Sequence, residues 1–332
     1  MNHFLVRNVS EALCIAKQAL EVSGKLVKTR NGAAYEFPGP VVTTYTHPRE
    51  RVLFYKERDA NPFFHFMESM WMLAGRNDVD WIMQFNGRMN TYSDDGVTFH
   101  GAYGHRWRTW FDKDQLAIAQ HRLLTYENDR RTVVTMWDPT TDLNKTNDGK
   151  DYPCNTQIFF SLRDEILDMT VVNRSNDMIW GAYGANAVHM SFLQEYMAQM
   201  IGVAVGRYTQ FSNNLHAYAE PLQKLEGMHP QYHPYEALDT SEAPPYTAYV
   251  SPELVTHPDC FDEELEHFMQ GEWEDPTDHE YRNEYLRYTA VPMFMSWRLW
   301  KEGDKETAVL LSMTIQDLAW QKACSEWFMR RM

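Results

Sequence analysis

The chain has 332 residues, 44% of them hydrophobic and 14% aromatic, enough for a large core in one big domain or in a domain with a sizeable appendage. A formal net charge of −15 argues against a general binder of nucleic-acid backbones, but leaves room for a single phosphate held by a few local arginines. No run approaches the ~18 apolar residues of a membrane span and the N-terminus lacks a charged-then-apolar leader pattern, so a soluble, cytoplasmic protein with no membrane partner is expected.

In chain order, residues 8–22 are predicted as an opening helix with Ala12, Ile15, Ala16, Ala19 and Leu20 on one side. A loop and strands follow over 29–45. Residues 62–75 are predicted as a helix in which Phe64, Met67, Glu68, Trp71 and Met72 share a face, so that a carboxylate sits on an apolar surface. Strands are predicted over 130–137, 156–163 and 166–172, and a helix over 187–201 capped by Gly202. After Tyr218 the composition turns rich in Pro, Tyr and His, and 227–260 is predicted as a long surface loop. Three aromatic-rich helices are expected near 261–271, 279–301 and 304–329. The resulting division is an α+β core over 1–225 and a loop-plus-helices extension over 226–332 packed on it.

The cysteines, Cys14, Cys154, Cys260 and Cys324, form no CxxC pair, which suits free thiols in a reducing compartment and points to no metal site. Cys154 follows a proline at the start of a strand. It is either an inert small hydrophobe or a nucleophile, and a nucleophilic thiol needs positive charge nearby. Arg174 and Ser175 lie between two apolar runs, where a charge needs a partner. Guanidinium forks with a hydroxyl suit a phosphate monoester, and the lack of a glycine-rich phosphate loop favours a nucleoside monophosphate over ATP. The pair Arg130-Arg131 reads either as a solvated strand end or as part of the same clamp. Glu68 is either a salt-bridge partner or a buried acid suited to proton transfer. Asn186 is either a helix cap or an amide that reads a pyrimidine edge, since it offers a donor and an acceptor together. His216 and Tyr218 either pack a turn or bind a sugar hydroxyl.

These fragments occur in a recognisable order: "TRNG" (29–32), Glu68-x-x-Trp71-x-Leu73-x-Gly75, "AYGHRWR" (102–108), "DRRTVVTMW" (129–137), "PCN" (153–155), "NRSND" (173–177), Gly181 with Asn186, and "LHAY" (215–218). In that order the chain resembles the thymidylate synthase superfamily, which includes the phage-type pyrimidine nucleotide hydroxymethylases. The resemblance implies that family's fold, a large mixed β-sheet packed by helices. It also implies a pyrimidine nucleoside monophosphate and 5,10-methylenetetrahydrofolate as substrates, without a metal. Cys154 is then the nucleophile at C6 of the base. Arg30, Arg174 and Ser175 hold the 5′-phosphate, joined by Arg130 and Arg131 of the second subunit of a homodimer. Asn186 reads the base, His216 and Tyr218 the sugar, and Asp177 the pterin ring, while Glu68 and Tyr103 manage protons and ordered water. If the chain is phage-encoded, the compartment is the host cytoplasm.

Four departures stand out. Asn155 replaces the histidine that usually follows the nucleophile, and the loop before Asn186 is one residue longer. The tryptophan-rich shielding segment reads "MQFNGRMNTYSDDG", and the tail that closes over folate has no counterpart. A closed, dry site favours hydride transfer and a methyl product, whereas a wetter one admits water and gives a hydroxymethyl product. The lost shielding therefore points to hydroxymethylation, although the C-terminal helices offer a substitute lid. An amide at position 186 favours uracil over cytosine, so the expected activity is that of a deoxyuridylate hydroxymethylase. Thymidylate synthase proper, a deoxycytidylate hydroxymethylase, and a nucleotide- or RNA-binding protein on the same fold are the alternatives. A Cys/His hydrolase lacks a histidine placed near Cys154 by the sequence.

Overall fold

A computed structural model describes residues 2–126, 128–143, 149–228, 235, 249–270 and 280–332. Within them, an α+β frame is built on two sheets. The larger is six-stranded and mixed, in the order β1 (Asn2–Val6), β4 (Val41–Tyr45), β9 (Ala204–Ser212), β7 (Ile166–Asn173), β6 (Asn155–Arg163), β5 (Val133–Thr135). The smaller has the order β2 (Lys25–Thr29), β3 (Gly32–Glu36), β10 (Leu215–Tyr218), β8 (Asn176–Asp177).

Two local features position the site. First, β6 and β7 form a hairpin whose two-residue turn, Asp164-Glu165, has φ of 49° and 57°. Both residues are left-handed, the geometry whose twist matches that of paired strands. The hairpin's register places Asn155 opposite Asn173. Cys154, just before β6, and Arg174, just after β7, therefore meet at its open end, and the Arg174 amide donates to the Cys154 carbonyl at 3.0 Å. Second, the helices α1 (Val9–Ser23), α2 (Pro62–Leu73) and α7 (Asn186–Met200) supply the layer of the core behind the sheet. Every residue of α7 from Ala187 to Ala198 is buried, so this helix is internal rather than amphipathic. It ends at Gly202, whose φ of 75° is the left-handed C-terminal signal. In α2, Asn61 caps the Phe64 amide at 3.2 Å and Pro62 occupies the first turn.

Short helices α3 (Val79–Met83), α4 (Tyr103–Arg108), α5 (Gln115–Thr125), α6 (Pro139–Asp142) and α8 (Ala219–Gln223) fill the connections. In the C-terminal third are α9 (Phe261–Gln270), α10 (Val291–Glu302), α11 (Lys305–Ser312) and α12 (Leu318–Met329). They share one apolar core with the sheets. Phe66 packs edge-on to Trp320 at 5.3 Å and Phe63 lies 4.8 Å from Phe328, each ring contributing about 2–3 kcal/mol by burial.

Several sequence expectations need correcting. The strand expected over 130–137 is shortened to Val133–Thr135, because the Asp129 carboxylate accepts from Thr132 and Arg122 and holds the preceding residues in a turn. The helix expected over 304–329 is two helices. Asp317 caps α12, and the Gln316 amide donates to the Tyr288 carbonyl instead of to its own helix. The helix expected over 279–301 starts late, with a wide π turn over Leu286–Ala290 leading into α10. Most of the loop expected over 227–260 lies outside the described residues, as does residue 279.

Candidate active site

The hairpin end opens into a cavity of about 780 Å³ lined by the segment leading into β6, by α2 and α7, and by Trp327 of α12. Of the expected site residues, Cys154, Glu68, Tyr103 and Asn186 face it. Arg174 adjoins it through the thiol: its Nη2 lies 4.0 Å from Cys154 Sγ, while its other bonds go to the carbonyls of Pro153 (3.0 Å) and Tyr152 (3.1 Å). The two flanking apolar runs do not bury the arginine. Arg174 is exposed, because the two apolar runs are strands and the arginine sits in the gap between them.

The proximity of Arg174 pulls the thiol pKa down, as expected, but does not win. Burial pushes the Cys154 thiol up, and the Asp151 and Asp177 carboxylates push it further, so the net shift is upward. Tyr103, at the start of α4, bonds to the thiol and to the backbone of Cys154 and Asn155, and burial drives its hydroxyl well above the usual range. Its helix is fixed by Arg106, fully buried and paired twice with Asp142 at 2.9 and 3.0 Å. Gly104 is required there, since a Cβ would lie 1.9 Å from the Met72 carbonyl oxygen.

Across the cavity, Glu68 on α2 faces His189 on α7, with Oε2 and Nε2 3.0 Å apart. Neither atom completes a well-angled hydrogen bond with a protein group. Nearby His65 is held well below the usual imidazole range by burial and then by the Arg58 guanidinium. His189 was missed from the sequence. Its signal was present, three residues after Asn186 and hence on the same helical face. Asn186 is not a cap: it is the first residue of α7, and its Nδ2 donates to Asn176 Oδ1 at 3.1 Å.

The smaller sheet carries a second group beside the cavity. His216 pairs in register with Asp177, and its ring meets Asn214 Oδ1 at 2.8 Å. Asp177 caps the turn that follows it through the amides of Ile179 and Trp180, and its Oδ2 is buried without a partner. Burial raises its carboxyl pKa. Tyr218 accepts from Asn31 of the β2–β3 turn, where Arg30 is exposed. Half-buried Ser175 follows Arg174. The structure does not bring Arg130 and Arg131 to this cavity. Val133 pairs with Phe159, so both exposed arginines lie toward the far end of β6, beyond about 16 Å of strand from Cys154.

The two departures expected to open the site do not leave it bare. The segment after α2 puts Phe85, Met89 and Tyr92 on the cavity wall, α12 adds Trp327, and Arg331 follows just past its end. Arg331 stacks on Trp327 at 3.8 Å and pairs with Asp59 at 2.5 Å. These wall residues carry no motif and were missed.

A family model described as thymidylate synthase matches residues 54–239. The chain belongs to the thymidylate synthase family. It is 45% identical over 336 residues to a deoxyuridylate hydroxymethyltransferase of Pseudomonas phage M6, a match covering 98% of this chain and 93% of that protein. A protein of the same description from Bacillus phage SP01 is 39% identical over 223 residues, covering 62% and 56%. A putative thymidylate synthase of Methanothermobacter marburgensis is 36% identical over 126 residues, covering 38% and 54%. Among the described residues, no cluster of His, Cys, Asp or Glu is arranged to hold a metal, and no helix is long and apolar enough to cross a membrane.

Proposed function

We propose that this protein transfers a one-carbon unit from 5,10-methylenetetrahydrofolate to C5 of deoxyuridylate, giving the 5-hydroxymethyl nucleotide. The observation that carries the reading is Cys154 Sγ, set 4.0 Å from the Arg174 guanidinium beside a cavity that also presents Glu68, Tyr103 and Asn186. The thiolate adds to C6, and C5 becomes the carbon nucleophile. Arg30, Arg174 and Ser175 hold the phosphate, and His216 and Tyr218 the sugar hydroxyl. The unpartnered Asp177 Oδ2 suits the N–H donors of a pterin, and Trp180 and Trp327 offer ring surfaces on the cavity wall. Once the one-carbon unit is on C5, loss of the C5 proton expels tetrahydrofolate and leaves an exocyclic methylene on the base; water adds to that methylene, and the Cys154 thiolate leaves C6 to restore the ring. A methyl product is the second reading, favoured by the aromatic cover that Trp327 supplies.

The protein works as a homodimer, through the open face of the six-stranded sheet. Across it, Val133, Phe159, Thr170, Thr209, Thr44 and Leu5 form one paired row, and Val133, Phe159 and Leu5 are exposed by 41%, 39% and 59%. A sheet face of this kind asks for a partner. A second copy there brings Arg130 and Arg131 to the neighbouring site.

Incubating deoxyuridylate and deoxycytidylate separately with methylenetetrahydrofolate, and weighing the nucleotide, tests the reaction. The expected gain is that of a hydroxymethyl group on deoxyuridylate. A methyl product with dihydrofolate overturns the product assignment. Mixing Arg131→Ala and Cys154→Ala subunits should restore activity, and mixed dimers that stay dead overturn the shared site.

A further inference from the structure

Asn186 can read uracil or cytosine depending on which way its amide points, and the fold behind it sets that direction. The Ala182 carbonyl is an acceptor and nothing else. Gln210 Nε2 donates to it at 3.1 Å, so Gln210 Oε1 must point the other way. There it accepts from Asn176 Nδ2 at 3.4 Å, and the same Nδ2 lies 3.2 Å from Ser212 Oγ. Asn176 Oδ1 is thereby turned toward Asn186, whose Nδ2 donates to it at 3.1 Å. Asn176, Gln210 and Ser212 are each no more than 2% exposed, so bulk water offers no substitute partner. Gly181 keeps the contact open, since a Cβ there would fall 2.8 Å from Asn176 Oδ1 and 3.1 Å from Asn186 Nδ2.

We propose that this relay, Ala182 carbonyl to Gln210 to Asn176 to Asn186, locks the base-reading amide in the uracil orientation and excludes cytosine. With one Nδ2 hydrogen spent on Asn176, the edge left for the base is Oδ1 together with the second Nδ2 hydrogen. That edge accepts from N3–H and donates to O4 of uracil. Cytosine reverses both demands and needs the amide flipped. The flip sets Oδ1 of Asn186 against Oδ1 of Asn176, two acceptors with no proton between them. Turning Asn176 in answer would face its own oxygen to Gln210 Oε1, a loss that a proton from the Ser212 hydroxyl offsets only in part. Asn176 and Gln210 are thus positioning residues acting through Asn186.

The inference rests on the proposed reaction, and the two fail differently. If the wild-type protein converts neither nucleotide, the proposed reaction is overturned. If it prefers deoxycytidylate, the orientation is overturned. Given conversion of deoxyuridylate, Asn176→Ala and Gln210→Leu each release the amide. The ratio of kcat/KM for deoxyuridylate to that for deoxycytidylate should fall by at least about tenfold in both. The Cys154 adduct with 5-fluorodeoxyuridylate should still form in them, which reports an intact site. An unchanged ratio in variants that form the adduct overturns the relay. Loss of the adduct in both also overturns it, because the buried amides then support the fold and not the amide's direction.

Discussion

The cavity has two unlike halves. One is carried by strands: Cys154 and Arg174 stand at the open end of one hairpin, and Asn176 and Gln210 lie on the strands beside it. The other is carried by helices: Glu68 and His189 meet across α2 and α7, Trp327 comes from α12, and Arg331 follows its C-terminus. In the strand half, backbone ladders fix the spacing, so residues far apart in sequence meet by register. In the helix half, ring packing sets the spacing, and small changes of side chain shift it. The strand half should therefore answer mutation with lost chemistry, and the helix half with altered rate and stability.

The largest effect belongs to the strand half. If Cys154 is the nucleophile as proposed, Cys154→Ala should abolish the covalent adduct and lower turnover by about 10⁴-fold or more, since no other thiol lines the cavity among the described residues. Its melting temperature should match the wild type. A denaturation scan with residual turnover above that level would show the strand half to be less decisive than its geometry implies.

His189→Gln tests the chemical edge of the helix half. Glutamine keeps a polar contact to Glu68 but cannot relay a proton, so product formation should slow by about 10²-fold while adduct formation persists. Equal loss of both would place His189 in binding instead.

Trp327→Ala tests the packing of the same half. Trp327 is 7% exposed and meets Phe63 at 5.8 Å, Trp297 at 5.6 Å and Phe328 at 5.8 Å. Its truncation should cost about 3 kcal/mol in urea unfolding and raise KM for the folate more than for the nucleotide. A full-strength fold with unchanged KM would detach α12 from the site.

The same contrast explains what the sequence disclosed. The strand half was legible because its residues fall in short collinear motifs, and hairpin register turns such motifs into contacts. Cys154 and the "NRSND" run could be placed side by side before any coordinate. The sign of the thiol's shift could not, because burial and two carboxylates outweigh the arginine and none of them is visible as a pattern. Nor could Arg174's exposure, since apolar strands flank it in sequence but not in space. The helix half was mostly illegible. Glu68 stood out as a charge on an apolar face, whereas His189 had only its spacing of three from Asn186 to mark it, in a helix that is buried nearly all round. Trp327 and Phe85 look like any core aromatics until the cavity shows what they border. The C-terminal helices were found, but not their breaks, because the break before α12 is made by Asp317 bonding with Ser251 and Tyr285 from elsewhere in the chain.

The smallest effect concerns the charge around the thiol. The Asp151 carboxylate, its own pKa raised by burial, accepts from the Gly101 amide at 2.8 Å and, when ionised, adds to the burial that holds the Cys154 thiol above its ordinary value. A raised thiol pKa means that the thiolate fraction near neutrality is small and grows with pH, by tenfold per unit below the pKa. Asp151→Asn removes the opposing charge and keeps an oxygen for Gly101. The thiol pKa should then fall, and alkylation by iodoacetamide at pH 7.5 should quicken by about two- to five-fold, with the pH–rate curve displaced to lower pH. The gain should shrink as pH rises, because both proteins approach full ionisation. A slower reaction in Asp151→Asn would mean that Asp151 acts by holding the Gly101 backbone against Cys154, and the strand half would then depend on packing as the helix half does.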